Sequence, residues 1–330
     1  MEPWQTAPLP PPSFSKTYEI DYFKLDKDLW RSTARVKDPI YNVVVSYDVT
    51  FPDFVIRDST ARFLSYPHKH CQKAAAKVKE LVGAQMLVQF PEIPRRAFLG
   101  PQGCDTLFNL INLSGRGLVF GALAHSAATG AITTAQFRNF YADGIVRCTA
   151  AASESVYRES FSPKDCVAVP YEGDADEQLE IGGEDEPVMW RRLNVDYFEL
   201  SDSLWRARAH LTDYDHNFIV AFDVSTADLV VQDANVAFLR QPYLECDWVQ
   251  ERIMKRIVGA CLATDFRSRL ARDFIGTLDG CGNVFALMNS MFRGFLQHYL
   301  SRNTVKGRLT PEQDALCRAG LVQDCLASGA

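Results

Sequence analysis

Four cysteines, Cys71, Cys104, Cys246 and Cys281, stand where helices are expected to begin, and Asp38 and Asp213 stand at strand-exit turns. A thiol at a helix N-terminus feels the positive end of the backbone dipole, which favours thiolate, the form that attacks electrophiles and binds soft metals. The cysteines fall into two pairs, 71 with 104 and 246 with 281, with spacings of 33 and 35 residues. Helices packed side by side with the same polarity would bring the sulfurs of a pair together. Cys104, Cys281, Asp38 and Asp213 are therefore the expected catalytic residues. Cys71, Cys104, Cys246 and Cys281 are the expected metal ligands, a set suited to zinc or an iron–sulfur cluster. His68 and His70 before Cys71, and Asp215 and His216 beside Asp213, add possible ligands. His68 and His70 have no counterpart near Cys246, where Tyr243 and Glu245 stand, so they read better as surface residues.

Each of these residues also has a purely structural reading. Unpaired cysteine is among the most buried residue types and packs as a small hydrophobe. That role suits Cys148, Cys166, Cys261, Cys317 and Cys325, which have no repeated partner. Asp38 and Asp213 could cap turns, and Asp58 and Asp233 read as turn or capping residues ending strands. Trp30 and Trp205 read as core anchors. The chain has no CxxC pair, GxGxxG, Walker loop or GxSxG elbow, so zinc ribbons, dinucleotide folds and serine-hydrolase elbows have no support.

The elements that must position these residues occur twice. Asp21-Tyr22-Phe23 and Leu29-Trp30-Arg31 return as Asp196-Tyr197-Phe198 and Leu204-Trp205-Arg206, 175 residues later. Asp38, Asp48, Asp58, Pro67 and Cys71 return at the same offset, and Val82-Gly83 and Gly103-Cys104 return one or two residues further on. A period this long marks duplicated domains, not stacking repeats.

Each copy opens with an extended segment. The β-branched stretch Val43–Val49 predicts a strand, Phe54–Asp58 a second, and the region around Trp30 or Trp205 a third. Thr50–Asp53 and Ser225–Asp228 are short enough for hairpin connections. Helical periodicity follows each first cysteine: Ala74, Val78, Leu81 and Val82 share a face, as do Val249, Ile253, Ile257 and Val258. Gly83 and Gly259 read as helix stops. A second helix spans Phe266 to Ile275, with a proline-broken version in the first copy, and Gly-Cys then opens a strongly apolar third. Helix is also expected to continue over 121–161, and a short tail helix to start at Pro311. Strands first and helices after predict an α+β fold, a small antiparallel sheet with helices on one face, in two copies packed as a pseudo-two-fold pair.

The expected organisation is a disordered leader over 1–13, repeat domains over 14–165 and 188–330, and an acidic linker over 166–187. Residues 172–187 hold eight acidic side chains and no basic one, against a net charge of −6 for 330 residues, so the remainder is slightly basic. Such a segment is solvated and extended, and could dock a protein partner. Composition is ordinary, 47% hydrophobic and 23% charged. No apolar run approaches the ~20 residues of a membrane span, no basic stripe points to nucleic acid, and no signal peptide is seen, so a cytoplasmic location with reduced thiols is expected.

The ordered series Trp205, His210-Leu211-Thr212-Asp213, Asp233-Ala234, Pro242-Tyr243-Leu244-Glu245-Cys246, Val258-Gly259 and Gly280-Cys281 resembles a bacterial family, the domain of unknown function numbered 2889. Trp30, Asp38, Pro67, Cys71, Val82-Gly83 and Gly103-Cys104 repeat it. The family pattern implies histidine two residues after Gly-Cys; here Thr106 and Asn283 stand there. A more distant likeness is to the NifU-like iron–sulfur scaffold fold, which implies cluster ligation by two cysteines per copy with Asp38 or Asp213 near the third position. Three functions are expected: a bacterial metabolic enzyme acting on a small organic or acyl substrate at the inter-repeat interface, a metal- or cluster-binding scaffold, or a non-catalytic assembly partner.

Overall fold

The structure, a computed structural model, describes residues 8–66, 71–89, 92–98, 103–133, 135–136, 186–241, 246–274 and 280–322. Each copy contributes four strands: β1 (Phe14–Asp26), β2 (Leu29–Lys37), β3 (Asn42–Thr50) and β4 (Ile56–Ser65), then β5 (Met189–Ser201), β6 (Leu204–Asp213), β7 (Asn217–Ser225) and β8 (Val231–Arg240). They form one eight-stranded antiparallel sheet in the order β4-β3-β2-β1-β5-β6-β7-β8. The expectation of a separate sheet in each copy is corrected here. The opening extended segments are full strands, and they pair with each other across the junction. Tyr18 and Leu193, equivalent under the 175-residue offset, stand directly opposite in that pairing.

Side-chain alternation decides the faces. In β6, Trp205, Ala207, Ala209, Leu211 and Asp213 are buried, while the residues between them are partly exposed. That period of two lets one face meet the helices while the other carries paired charges, such as Arg31 with Asp48 and Arg206 with Asp223. Asp58 and Asp233 lie inside β4 and β8 instead of ending strands, and pair with Lys79 and Lys255 at 2.6 Å. Both fourth strands run well past the expected end.

The first copy's helices are α1 (Cys71–Ala76), tightening into a 3-10 turn at Lys77–Leu81, then α2 (Met86–Gln89), α3 (Glu92–Phe98) and α4 (Asp105–Ala128). In the second copy a π-helical turn (Val249–Ile253) and a 3-10 turn (Met254–Ile257) lead to α5 (Phe266–Phe274), α6 (Gly282–Val305) and α7 (Pro311–Val322). Gly83 and Gly259 end the tight turns with φ of 85° and 80°, a conformation that costs glycine nothing. Val82 is exposed, so the apolar face there stops at Leu81. The expected helix over 121–161 is seen to Ala128; 137–185, with most of the acidic linker, lies outside the described residues, as do Pro67–His70 and Pro242–Glu245.

α4 packs on β1, β2 and β3, α6 on β6 and β7, and the two long helices touch. One hydrophobic core runs through both copies, with Trp30 and Trp205 buried in it as anchors. α4 is long and apolar enough by composition to cross a membrane, but 89% of that stretch is buried inside the protein. Two glycines let the long helices close on the sheet. The Tyr22 hydroxyl donates to the Ser114 carbonyl over Gly117, and Tyr197 donates to the Met291 carbonyl over Gly294. A Cβ at either glycine would fall 1.9 or 2.1 Å from the tyrosine oxygen. Gly294→Ala is therefore expected to destabilise by ~1–3 kcal/mol through overpacking. Because the core is shared, calorimetry should show a single unfolding transition with equal calorimetric and van't Hoff enthalpies. Two separated transitions would contradict the shared core.

Candidate functional site

The junction strands each carry an inward-facing cation near their start. Lys16 in β1 and Arg191 in β5 are equivalent under the 175-residue offset. An unpaired charge would be prohibitively costly in this core, and each is met by the turn aspartate of its own copy. Lys16 Nζ lies 3.1 Å from Asp38, and Arg191 Nη2 lies 2.7 Å from Asp213, with every one of these side chains at most 5% exposed. Burial opposes the charge on Lys16, but Tyr18 and Asp38 outweigh it and its pKa is raised. Burial would likewise push the Asp213 carboxyl up, yet Arg191 and the contacts from His216 hold it well below the usual range.

The two aspartates also hold their turns, as the structural reading expected. Asp38 Oδ1 accepts the backbone N–H groups of Ile40 and Tyr41, and Asp213 Oδ1 accepts those of Asp215 and His216. In the second copy the turn adds an imidazole. His216 Nδ1 lies 3.1 Å from Asp213 Oδ1, and its Nε2 lies 3.3 Å from Asn283 Nδ2. Asn283 in turn accepts from Arg191 Nη1 at 3.3 Å, and the same nitrogen donates to the Leu113 carbonyl of α4. Asn283 therefore ties the carboxylate–imidazole pair to the head of α6. Its amide as a donor to Nε2 implies the tautomer with the proton on Nδ1, facing Asp213. The first copy has Tyr41 and Thr106 in the equivalent places, so it has no such pair.

Cys104 and Cys281 are the N-cap residues of α4 and α6, each with extended backbone, and both are buried. Their carbonyls accept the first helical hydrogen bonds, from Phe108 and Phe285. Cys71 opens α1, and Cys246 begins the described chain leading to the π-helical turn; both are buried. The helix-head placement is thus as expected. The gathering of ligands is not: among the described residues no group of three or more His, Cys, Asp or Glu side chains could hold a metal ion. Asp38 and Asp213 are taken up by buried cations and turn amides, which leaves the proposed third cluster ligand committed elsewhere. Cys317 is fully buried, which pushes its thiol up to about 12, so it is inert as the structural reading had it. Cys261 is partly exposed, and Cys148, Cys166 and Cys325 lie outside the described residues.

Sequence reasoning passed over the residues that join the site. Lys16 and Arg191 were visible as two cations at one offset, but their burial depends on the β1–β5 pairing. Arg116 and Arg293, also repeat equivalents, cross to the opposite copy's helix head. Arg293 Nε lies 3.3 Å from Asp105, and Arg116 packs where a side chain on Gly282 would stand, its Nη1 2.2 Å from the ideal Cβ position.

Removing one member of a buried pair strands the other. Asp213→Asn is expected to cost ~3–5 kcal/mol in chemical denaturation, and Arg191→Met combined with it should cost less than the sum of the two single changes. Asp213 has a depressed folded-state pKa, so its stabilisation is complete above the unfolded value near 4 and drains away as pH falls from there. The wild type should lose stability over that acidic range, and Asp213→Asn should show a shallower acid dependence.

The family described as protein of unknown function (DUF2889) matches residues 19–116 and 189–297, one segment in each copy. No curated protein and no solved structure matches the chain, and the likeness to the NifU-like scaffold finds no support in either comparison. The two matches cover more than half of the sequence and coincide with β1 to α4 and β5 to α6. The chain belongs to the DUF2889 family, carried as a tandem arrangement.

Proposed function

We propose that the protein is an enzyme acting on a small organic or acyl substrate at the inter-repeat junction, with the working site at the head of α6 in the second copy. The observation that supports it is the Asp213–His216–Asn283 chain. An imidazole oriented by a buried carboxylate, with its other nitrogen directed to the head of the helix that Cys281 caps, has the composition of a base–nucleophile site. His216 is the base and Cys281 the nucleophile. The thiol proton passes to His216 Nε2, the sulfur attacks the acyl carbon, and the leaving group departs with that proton. Water then hydrolyses the acyl-cysteine and regenerates the thiol. Asp213 orients the imidazole and stabilises its cation. Asp38 and Cys104, whose copy carries Tyr41 where the second carries His216, serve structure.

The test is hydrolysis of a panel of short aryl esters and acyl thioesters by the full-length protein, with mass spectrometry for an acyl adduct. Cys281→Ser and His216→Ala should each lower turnover by about 100-fold or more, the scale of acid–base and nucleophilic contributions. Cys104→Ser should leave it unchanged. Turnover that survives Cys281→Ser, or an adduct on Cys104, removes this reading.

A further inference from the structure

The sheet ends in two edge strands, β4 and β8, which are equivalent in sequence but differ in what their outer backbone meets. At the start of β4, Thr50 donates to the Val55 carbonyl, and Ile56 turns its N–H and carbonyl outward to Ala84 and Gly83. The irregularity between Ile56 and Asp58 shifts this alternation by one residue, so Ser59, Ala61 and Phe63 direct their backbone groups outward. β8 has the same phase: Val236, the equivalent of Ala61, donates outward to Gln250 Oε1 at 2.7 Å. Gln250 Nε2 and Lys255 also hold Asn235, so the middle of the β8 edge is capped. In the first copy Ala75 stands at the place of Gln250, and its side chain has no acceptor to offer.

The β4 edge is also complementary to itself. Asp58, Thr60 and Arg62 share the face away from the helices, and all three are exposed. Lys79 pairs with Asp58 within the chain, at a carboxylate still 60% exposed. A two-fold axis through Thr60 sets Ser59 opposite the partner's Ala61, where the outward amides and carbonyls exchange hydrogen bonds. It sets Asp58 opposite the partner's Arg62, once on each side of the axis, with no like charges facing. These are non-hydrogen-bonded positions, where cross-strand side chains lie closest. The same register brings Leu64 up to the partner's Val82–Ala84 segment, which holds the outer side of Ile56. Leu64 and Val82 are 54% and 44% exposed, two of the four exposed large hydrophobics among the described residues. β8 has Ala237 at the place of Arg62, so its edge carries no such charge pair.

We propose that β4 pairs with β4 of a second molecule of this chain, antiparallel about Thr60, and extends the sheet across a two-fold axis. The chain already uses this mode internally: β1 and β5 meet antiparallel with the equivalent residues Tyr18 and Leu193 opposite each other. The axis is perpendicular to the sheet, so the helices of both molecules lie on one side of it, as those of the two copies do. The seam is short, because Gly83 and Ala84 close it at each end, and the dimer is reversible and concentration-dependent. Neither Cys281 nor His216 takes part in it.

The measurement is sedimentation velocity of the full-length protein at rising concentration. The wild type should pass from monomer to dimer, and the amides of Ser59 and Ala61 should gain protection from hydrogen exchange as it does. Ala61→Pro removes an outward donor without touching the β3 ladder, and should hold the protein monomeric. Arg62→Asp turns two attractions into repulsions and should weaken association by about tenfold or more. The double variant Asp58→Arg/Arg62→Asp restores opposite charges in the same register and should recover the dimer. If Ala61→Pro fails to fold, the charge exchange still decides. A wild type that stays monomeric at every concentration, a dimer indifferent to Arg62→Asp, or a double variant that associates no better than Arg62→Asp overturns the proposal.

Discussion

Everything in this molecule hangs on the antiparallel pairing of β1 with β5. Those strands run through the middle of the sheet and belong to different copies of one sequence pattern. An unpaired central strand would leave a row of backbone donors and acceptors without partners, and pairing the copies' first strands solves that for both at once. It also sets which side chains become deep. Lys16 and Arg191 would lie at a solvated edge if each copy had its own sheet. In the shared sheet they are carried under the helices, and each then requires a carboxylate.

The buried pairs are better understood as positioning devices than as sources of stability. Desolvating two charges roughly cancels their attraction, so a net gain is not what such pairs contribute. What they do is fix geometry. Asp213 binds Arg191 with one oxygen and the turn amides and imidazole with the other, while Arg191 reaches the α4 carbonyl of Leu113 and the side chain of Asn283. One carboxylate and one guanidinium thereby lock a strand, a turn and two helices of different copies to each other. The tyrosine–glycine contacts at Gly117 and Gly294 hold the same helices against the sheet from the other side of the register.

The copies differ at this lock. Tyr41 replaces His216, Thr106 replaces Asn283, and Asp105 replaces Gly282. His216 meets Asn283 in the second copy, and Asp105 meets Arg293 in the first. The framework residues Trp30 and Trp205, Tyr22 and Tyr197, and Gly117 and Gly294 do not diverge, because the shared core needs both sets.

The chain alone determined the duplication, the order of strands before helices, the glycine stops at 83 and 259, and the placement of Cys104 and Cys281 at helix heads. These are local properties: alternation, helical period, and the conformational freedom of glycine. It did not determine that the copies share one sheet, because whether β1 pairs with β5 or remains an edge is a choice between partners 167 or more residues apart. From that choice follow the burial of Lys16 and Arg191, the crossing of Arg116 and Arg293 to the opposite helix, and the meeting of His216 with Asn283. Residue types and spacings record what a side chain can do, but a charge becomes buried, and an imidazole becomes oriented, only when distant segments close around it.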